Sequence, residues 1–346
     1  MPATPFPAAT ADNTSLRAGL IGLAPMEGVI DALTRELLTE LGGFDWSVTE
    51  FVRITDARLP PRVFQRICPE LDTGSQTPSG TPVYLQLLGS QPDRLGENAR
   101  VAAALGAPVI DMNFGCPAKT VNRHDGGAAL LRTPERVYQA VQGVHRALEG
   151  TGVPVTAKLR LGFEDKSLAL ECARAAEDGG AQRLVVHART RREGYRPPAH
   201  WAWVGRIREQ AGVPVVVNGD IWTLEAYWQA REVSGCQDVM LGRAALADPW
   251  LAKRIRHWQL TGERLPATRW QDRSALLAAY VSRIDPALPS KVVVSLLKQW
   301  LNIMRQHDSE AGEHFQRLRR LTALKDFMAA LQEETTPSNI DTSTSL

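Results

Sequence analysis

Cysteine is scarce and scattered in this chain. Only Cys68, Cys116, Cys172 and Cys236 occur among 346 residues, and no CxxC pair is present. That pattern supports neither a zinc site nor a disulfide framework, so no metal is expected and a reducing, cytoplasmic setting is. No apolar run approaches the ~20 residues that span a bilayer, so no membrane association is expected. The N-terminal MPATPFPAATADNTS lacks a basic stretch followed by an apolar core and does not read as a secretory signal. It reads as a flexible leader over 1–18, and the Ser/Thr-rich TTPSNIDTSTSL reads as a flexible tail over 333–346.

A strong charge of one sign is also missing, since the net charge is only +2. The distribution is uneven, however. Residues 251–332 hold 14 Lys+Arg against 7 Asp+Glu, and the remainder is acidic. A basic end on a near-neutral protein fits either a docking surface for a polyanion or a solvated helical face. Apolar content of 44% and charged content of 23% are those of an ordinary globular protein.

What is present is alternation. Eight short apolar runs recur: 20–24, 46–51, 83–88, 109–113, 155–159, 184–187, 215–218 and 239–241. Most are rich in apolar and β-branched residues, as strands covered on both faces are. Segments with helical spacing lie between them, at 31–41, 92–105, 134–148, 167–178 and 201–210. Thr133-Pro134-Glu135 reads as a helix start, with a capping hydroxyl and proline at the first helical position. Eight such units in about 250 residues predict an α/β fold, a (β/α)8 TIM barrel over 19–250. Beyond Trp250 only helical patterns continue, at 274–283, 291–305 and 313–331, broken by Pro286 and Pro289. An appended all-helical domain over 251–332 is expected.

A barrel places its active site at the C-terminal ends of its strands. Those ends carry Pro25-Met26-Glu27, Glu50, Gln86, Asn113 with Cys116, Lys158 with Arg160, His187 with Arg189, Asn218-Gly219-Asp220 and Gly242-Arg243. The loops after strands seven and eight suit a phosphate, because glycines admit backbone N–H groups and Arg243 adds a fork of donors. Lys158 beneath a ring could stabilise developing negative charge, or be one half of a structural ion pair. His187 could donate to a cofactor or sit satisfied in the core. The most informative stretch is DMNFGCPAKTVNRHDGG at 111–127. A free cysteine is usually a small buried hydrophobe, but Cys116 follows a strand end beside Gly115 and Pro117, which places it on the rim. Lys119, three residues on, could depress its pKa.

LAPMEGVID, TEFVR, NFGCPAKTVN, AKLRLG, VVHART, VNGDI and LGRAAL together resemble the tRNA-dihydrouridine synthases, from about Leu20 to Arg320. TEFVR, RICPEL, CPAKTVN, GYR and KQWLN resemble the C subfamily, which reduces uridine 16 of the tRNA D-loop. The resemblance implies an FMN enzyme reduced by NADPH, passing hydride to carbon 6 of uracil while Cys116 protonates carbon 5. A protonated thiol suits that role without special activation. By the same resemblance, Pro25, Met26 and Glu27 line the flavin, Gln86 and Lys158 hydrogen-bond it, and His187 supports it. Asn218, Gly219, Asp220, Gly242 and Arg243 would hold its ribityl chain and phosphate. Asn113 would hold the uracil, and Arg53, Arg160 and Tyr195 would contact the target nucleotide or its flank. Lys298 and Arg305 are candidates for tRNA contacts, and a monomer is expected. The chain departs from the family pattern at Leu296, where a basic residue is common, and at Asp220, where a glutamate is. Two rival readings are a flavin barrel acting on a free pyrimidine, like dihydroorotate dehydrogenases, and a non-catalytic tRNA-binding protein. A basic helical domain argues against the first. Cys116, Lys158 and Arg243 together argue against the second.

Overall fold

A computed structural model of the protein describes residues 18–332. Apart from Ala18, the expected leader lies outside the described residues, as does the expected tail over 333–346. All eight apolar runs form strands: β1 (Ile21–Leu23), β2 (Trp46–Arg53), β3 (Val83–Leu88), β4 (Ile110–Phe114), β5 (Val155–Arg160), β6 (Ala181–His187), β7 (Val215–Asn218) and β8 (Val239–Leu241). They are parallel and close in sequence order, β8 pairing back onto β1. The fold is the expected (β/α)8 barrel, and the reason is legible in β7, whose VVVN is buried throughout between the interior and the helical ring.

The outer helices are α1 (Ala32–Glu40), α2 (Pro61–Ile67), α3 (Pro92–Ala104), a short α4 (Lys119–Arg123), α5 (Pro134–Ala147), α6 (Ala169–Asp178), α7 (Trp201–Gln210), α8 (Leu224–Ser234), a short α9 (Arg243–Ala247) and α10 (Leu251–Thr261). Side-chain caps start α1, where Asp31 accepts from the Thr34 N–H at 2.8 Å, and α8, where Thr223 accepts from Ala226 at 3.1 Å. Helix α5 begins at Pro134 as expected, but the Thr133 hydroxyl makes no capping bond. The fixed φ of proline at the first helical position marks that start by itself.

The barrel interior is filled by Trp46, Val48, Val185, Val216, Met240 and Ala24. Gly22 makes room for the indole: a Cβ there would stand 2.4 Å from the Trp46 ring. Above this layer polar residues align across strands. Gln86, Asp111 and Thr156 are direct partners on β3, β4 and β5. Nearer the top, Arg160, His187 and Asn218 are partners on β5, β6 and β7.

The chain divides into compact units between Leu265 and Pro266. The helical unit therefore begins later than residue 251, because α10 belongs to the barrel. Arg256 pairs with Asp45, and Gln259 donates to Gly19 O at 3.0 Å and the Tyr227 hydroxyl at 2.7 Å. Arg254 pairs with Asp248, and Arg264 with Glu225. Three of the arginines behind the expected basic surface are thus occupied by acidic partners within the barrel unit. Residues 266–332 keep 10 Lys+Arg against 6 Asp+Glu. This unit holds α11 (Trp270–Arg283), α12 (Ser290–Met304), α13 (Ser309–Leu318) and α14 (Leu324–Gln332). The expected helix over 313–331 is two helices. Neither proline nor glycine marks their junction, so the periodicity ran through it. The Leu321 N–H closes a tight turn on Leu318 O at 3.0 Å instead.

Candidate active site

Every strand contributes a residue or a following loop to the rim. Pro25, Met26 and Glu27 follow β1, where Met26 O accepts from Val29 and Ile30 and turns the loop back. Glu50 and Arg53 are on β2. Glu50 accepts from the Gly28 N–H and so pins that loop, while Arg53 is exposed. Partial burial first, and then Glu50 for Glu27 and Asp31 for Glu50, push both carboxyls above the usual range, against the Gly28 N–H that Glu50 accepts.

Gln86, Asn113 and Cys116 come from β3, β4 and the loop after it. The Asn113 carbonyl oxygen accepts from the backbone N–H of Gly115 and of Cys116, each at 2.9 Å. Its amide nitrogen donates to Gln86 Oε1 at 2.7 Å. Arg160 holds the loop from β5, donating from Nε to Gly115 O at 2.7 Å. Asn122 and Ala128 donate to Cys116 O at 3.0 and 3.3 Å. Gly127, at φ +60°, lies so close that a Cβ there would stand 3.0 Å from the Cys116 Cβ. Cys116 is the half-exposed member of the four cysteines; the other three are buried. Burial first, and then Glu27, push its thiol up, against an opposing backbone N–H at Ala118 and the charges of Arg160 and Arg53. The depression anticipated from Lys119 is not found, because Lys119 points into solvent. A thiol held above its ordinary pKa is a proton store near neutral pH.

Lys158, Arg160, His187 and Asn218 form the inner wall. Lys158 Nζ donates to Asn218 Oδ1 at 3.2 Å, and Asn218 Nδ2 donates to Met240 O at 2.7 Å. Burial first, and then Arg160, lower the Lys158 amine to about 8, with Asp111 opposing. Burial and four nearby cations hold His187 neutral, well below its ordinary range. Its Nδ1 is buried with no hydrogen-bond partner among the described residues. Arg160 is more structural than expected. Besides Gly115, it donates to Thr190 O at 3.1 Å and Gly194 O at 2.9 Å, fixing the loop that carries Tyr195. Tyr195 is 50% exposed, with the guanidinium of Arg160 5.3 Å and that of Arg243 4.3 Å from its ring centre.

At the β7–β8 end, Gly219 takes φ +112° and Asp220 the left-handed φ +56°. The Asp220 carboxylate pairs with buried Arg189 and, at 3.8 Å, with Arg243. Asp220 therefore organises arginines. Arg189, noted at a strand end but given no role, is its main partner. At Gly242 a Cβ would stand in ordinary contact with Ala24 Cβ and Met26 Sδ, each at 3.7 Å.

The arrangement fits a flavin phosphate on donor chemistry. Lys158, an unpartnered imidazole nitrogen on His187, glycine backbone and Arg243 line one side of the rim, all suited to an electron-rich ring and an anion. Among the described residues, no group of three or more His, Cys, Asp and Glu could hold a metal, and no helix is long and apolar enough to cross a membrane. The structure thus brings together the residues expected on the barrel. Lys298 and Arg305 belong to the helical unit. They are seven residues apart along α12 and its C-terminal cap, hence on one face. Arg305 donates to Asn302 at 2.7 Å and covers the Phe315 ring at 4.5 Å. The residue missed by the sequence reading is Asp111. Its signal was its place two residues before Asn113 on the same face of β4.

Residues 22–340 match the dihydrouridine synthase (Dus) family. The tRNA-dihydrouridine(16) synthase of Aquipseudomonas alcaligenes is 48% identical over 300 residues, covering 87% of this chain and 95% of that protein. The tRNA-dihydrouridine(16) synthase of Ralstonia nicotianae is 46% identical over 310 residues, covering 90% and 94%. That of Neisseria meningitidis serogroup B is 44% identical over 298 residues, covering 86% and 89%.

Proposed function

The chain belongs to the dihydrouridine synthase family, and from that premise we propose that it reduces uridine 16 of tRNA to 5,6-dihydrouridine in the cytoplasm, with FMN as bound cofactor and NADPH as reductant. The observation that carries this reading is the placement of a half-buried lysine and a buried histidine with an unpartnered Nδ1 on one part of the rim, and of a half-exposed thiol on another. FMN, when bound, would supply the hydride chemistry needed at carbon 6 of the uracil. The remaining work belongs to the protein.

Lys158, cationic below about 8, stabilises negative charge on the ring it faces. The unpaired Nδ1 of His187 would help hold the cofactor. Pro25, Met26 and Glu27 wall the ring, Gln86 offers it its second amide N–H, and Asn218, Gly219, Gly242 and Arg243 receive the ribityl phosphate. Asp220 acts there by aligning Arg189 and Arg243. Cys116 gives its proton to carbon 5, and the raised thiol pKa keeps that proton available. Asn113 spends its oxygen on the thiol loop and keeps one amide N–H for the uracil. The half-exposed Tyr195 ring offers a stacking face for a base that has left its loop. Arg53 lies exposed for a phosphate, Arg160 acts by fixing Tyr195, and Lys298 and Arg305 contact the tRNA backbone.

The test is direct. Purified protein is expected to be yellow, to release FMN on denaturation, and to form dihydrouridine in unmodified tRNA with NADPH. A colourless protein that cannot be reconstituted with FMN overturns the reading. Turnover of free pyrimidines but not tRNA would move it to the small-substrate class.

A further inference from the structure

Five hydrogen bonds run in one line beneath the rim. Thr156 Oγ1 donates to Asp111 Oδ1 at 2.6 Å, and Gln86 Nε2 donates to Asp111 Oδ2 at 2.7 Å. Asn113 Nδ2 donates to Gln86 Oε1 at 2.7 Å, and the N–H groups of Gly115 and Cys116 donate to Asn113 Oδ1, both at 2.9 Å. The polarity of this line is dictated from its upper end. Backbone N–H groups can only donate, so the atom of Asn113 between them is its oxygen, and its nitrogen faces Gln86. Gln86 must then receive with its oxygen and point its nitrogen downward. Position 111 therefore has to present an acceptor. Asp111 does so in a site only 2% exposed, where an unpaired amide N–H would have no water to turn to.

We propose that Asp111 is a positioning residue for the reaction: as terminal acceptor it sets the orientation of both amides and so holds the Cys116 loop in place. The register supports this, because Gln86, Asp111 and Thr156 are direct partners on three adjacent strands. The network is therefore carried by the sheet and not by a mobile loop. Both Asp111 oxygens are spent as acceptors, and although burial pushes this carboxyl above its usual range, the Gln86 and Thr156 hydrogen bonds oppose that rise, so a single polarity survives. Were both amides to flip, Asn113 would turn N–H groups toward the N–H groups of Gly115 and Cys116, and the loop would come free. The consequence for dihydrouridine formation rests on Cys116 being the proton donor; the hold on the loop does not.

The experiment is iodoacetamide labelling of the as-purified protein, mapped by mass spectrometry. Cys68, Cys172 and Cys236 are buried, with thiols pushed up to about 12, about 12 and about 11, and serve as internal controls for an intact fold. Asp111→Leu keeps much of the volume and removes the acceptor. It is expected to label at Cys116 roughly tenfold faster than the unaltered protein, about the loss of one hydrogen bond, with the other three cysteines silent. Asp111→Asn removes the charge and keeps an acceptor, so its Cys116 rate should stay within about twofold. If Asp111→Leu labels at the buried cysteines as well, the exchanged pair Asp111→Asn with Gln86→Glu decides. There every donor again faces an acceptor, and slow labelling is expected. Unchanged labelling in Asp111→Leu overturns the proposal, as does fast labelling in Asp111→Asn or in the exchanged pair. An unaltered protein that labels as described but makes no dihydrouridine sinks the functional reading and leaves the relay standing.

Discussion

Thr156, Asp111, Gln86 and Asn113 hold one another in a continuous chain of hydrogen bonds that ends on the backbone of the Cys116 loop. Directly beside it, from Lys158 on β5 round to β8, the rest of the same rim is left open. Lys158 is half-buried with one acceptor, and His187 Nδ1 is buried with none among the described residues. Buried polar groups are ordinarily paired, and an exception asks for an explanation. The contrast assigns different duties to the two parts. The β3–β4 part carries its geometry ready-made, as the placement of an acid requires. The β5–β8 part is cationic and under-satisfied, as a site completed by an anionic, electron-rich ligand would be.

Removing the thiol breaks the first part without touching the second. Cys116→Ala should keep the FMN absorbance and its reduction by NADPH while tRNA turnover falls by about 10²–10⁴, the usual worth of a general acid. Near-normal turnover would take Cys116 out of that role. Lys158→Met does the converse: a loss on the order of 10² in turnover is expected, together with weaker FMN retention. The lysine also sets a pH limb. Its folded pKa is lowered to about 8, so its charge is complete well below that value and is lost as pH rises through it. kcat/KM should decline above about 8, while Lys158→Arg should carry the limb upward because a guanidinium keeps its proton. A limb unmoved by that change would contradict the assignment.

A smaller effect should strike both parts together. Gly22→Ala forces a methyl against Trp46 under the whole rim, and overpacking of this kind typically costs ~1–3 kcal/mol. A lower Tm with FMN still bound is the expected result, and an unchanged Tm would mean the interior yields easily. The smallest effect should come from the helical unit. Lys298→Ala with Arg305→Ala should weaken tRNA binding and reduce its salt slope by about 1 for each phosphate contact removed. An unaltered slope would leave α12 as solvated surface.

Strand positions were legible because parallel strands covered on both faces are apolar along their length, and punctuation at their ends named the rim residues. Side-chain partnership was not. Arg160 reads as a free cation two residues from Lys158, yet three carbonyls claim it. Asp220 reads as a ligand group, yet Arg189 and Arg243 take its carboxylate. The basic excess after Trp250 was real in composition, but Arg254, Arg256 and Arg264 meet Asp248, Asp45 and Glu225, which lie before residue 251 and so escape a charge count of the segment. Asp111 stood in the motif from the start, and only the register of three strands shows what it accepts from.

The most direct measurement is mass mapping of dihydrouridine in tRNA from a strain lacking this gene, with and without the gene restored. Loss of the modification at position 16 alone, and its return on complementation with the native gene but not with Cys116→Ala, is the predicted result. Dihydrouridine undiminished at position 16 in the deletion strain would contradict the account.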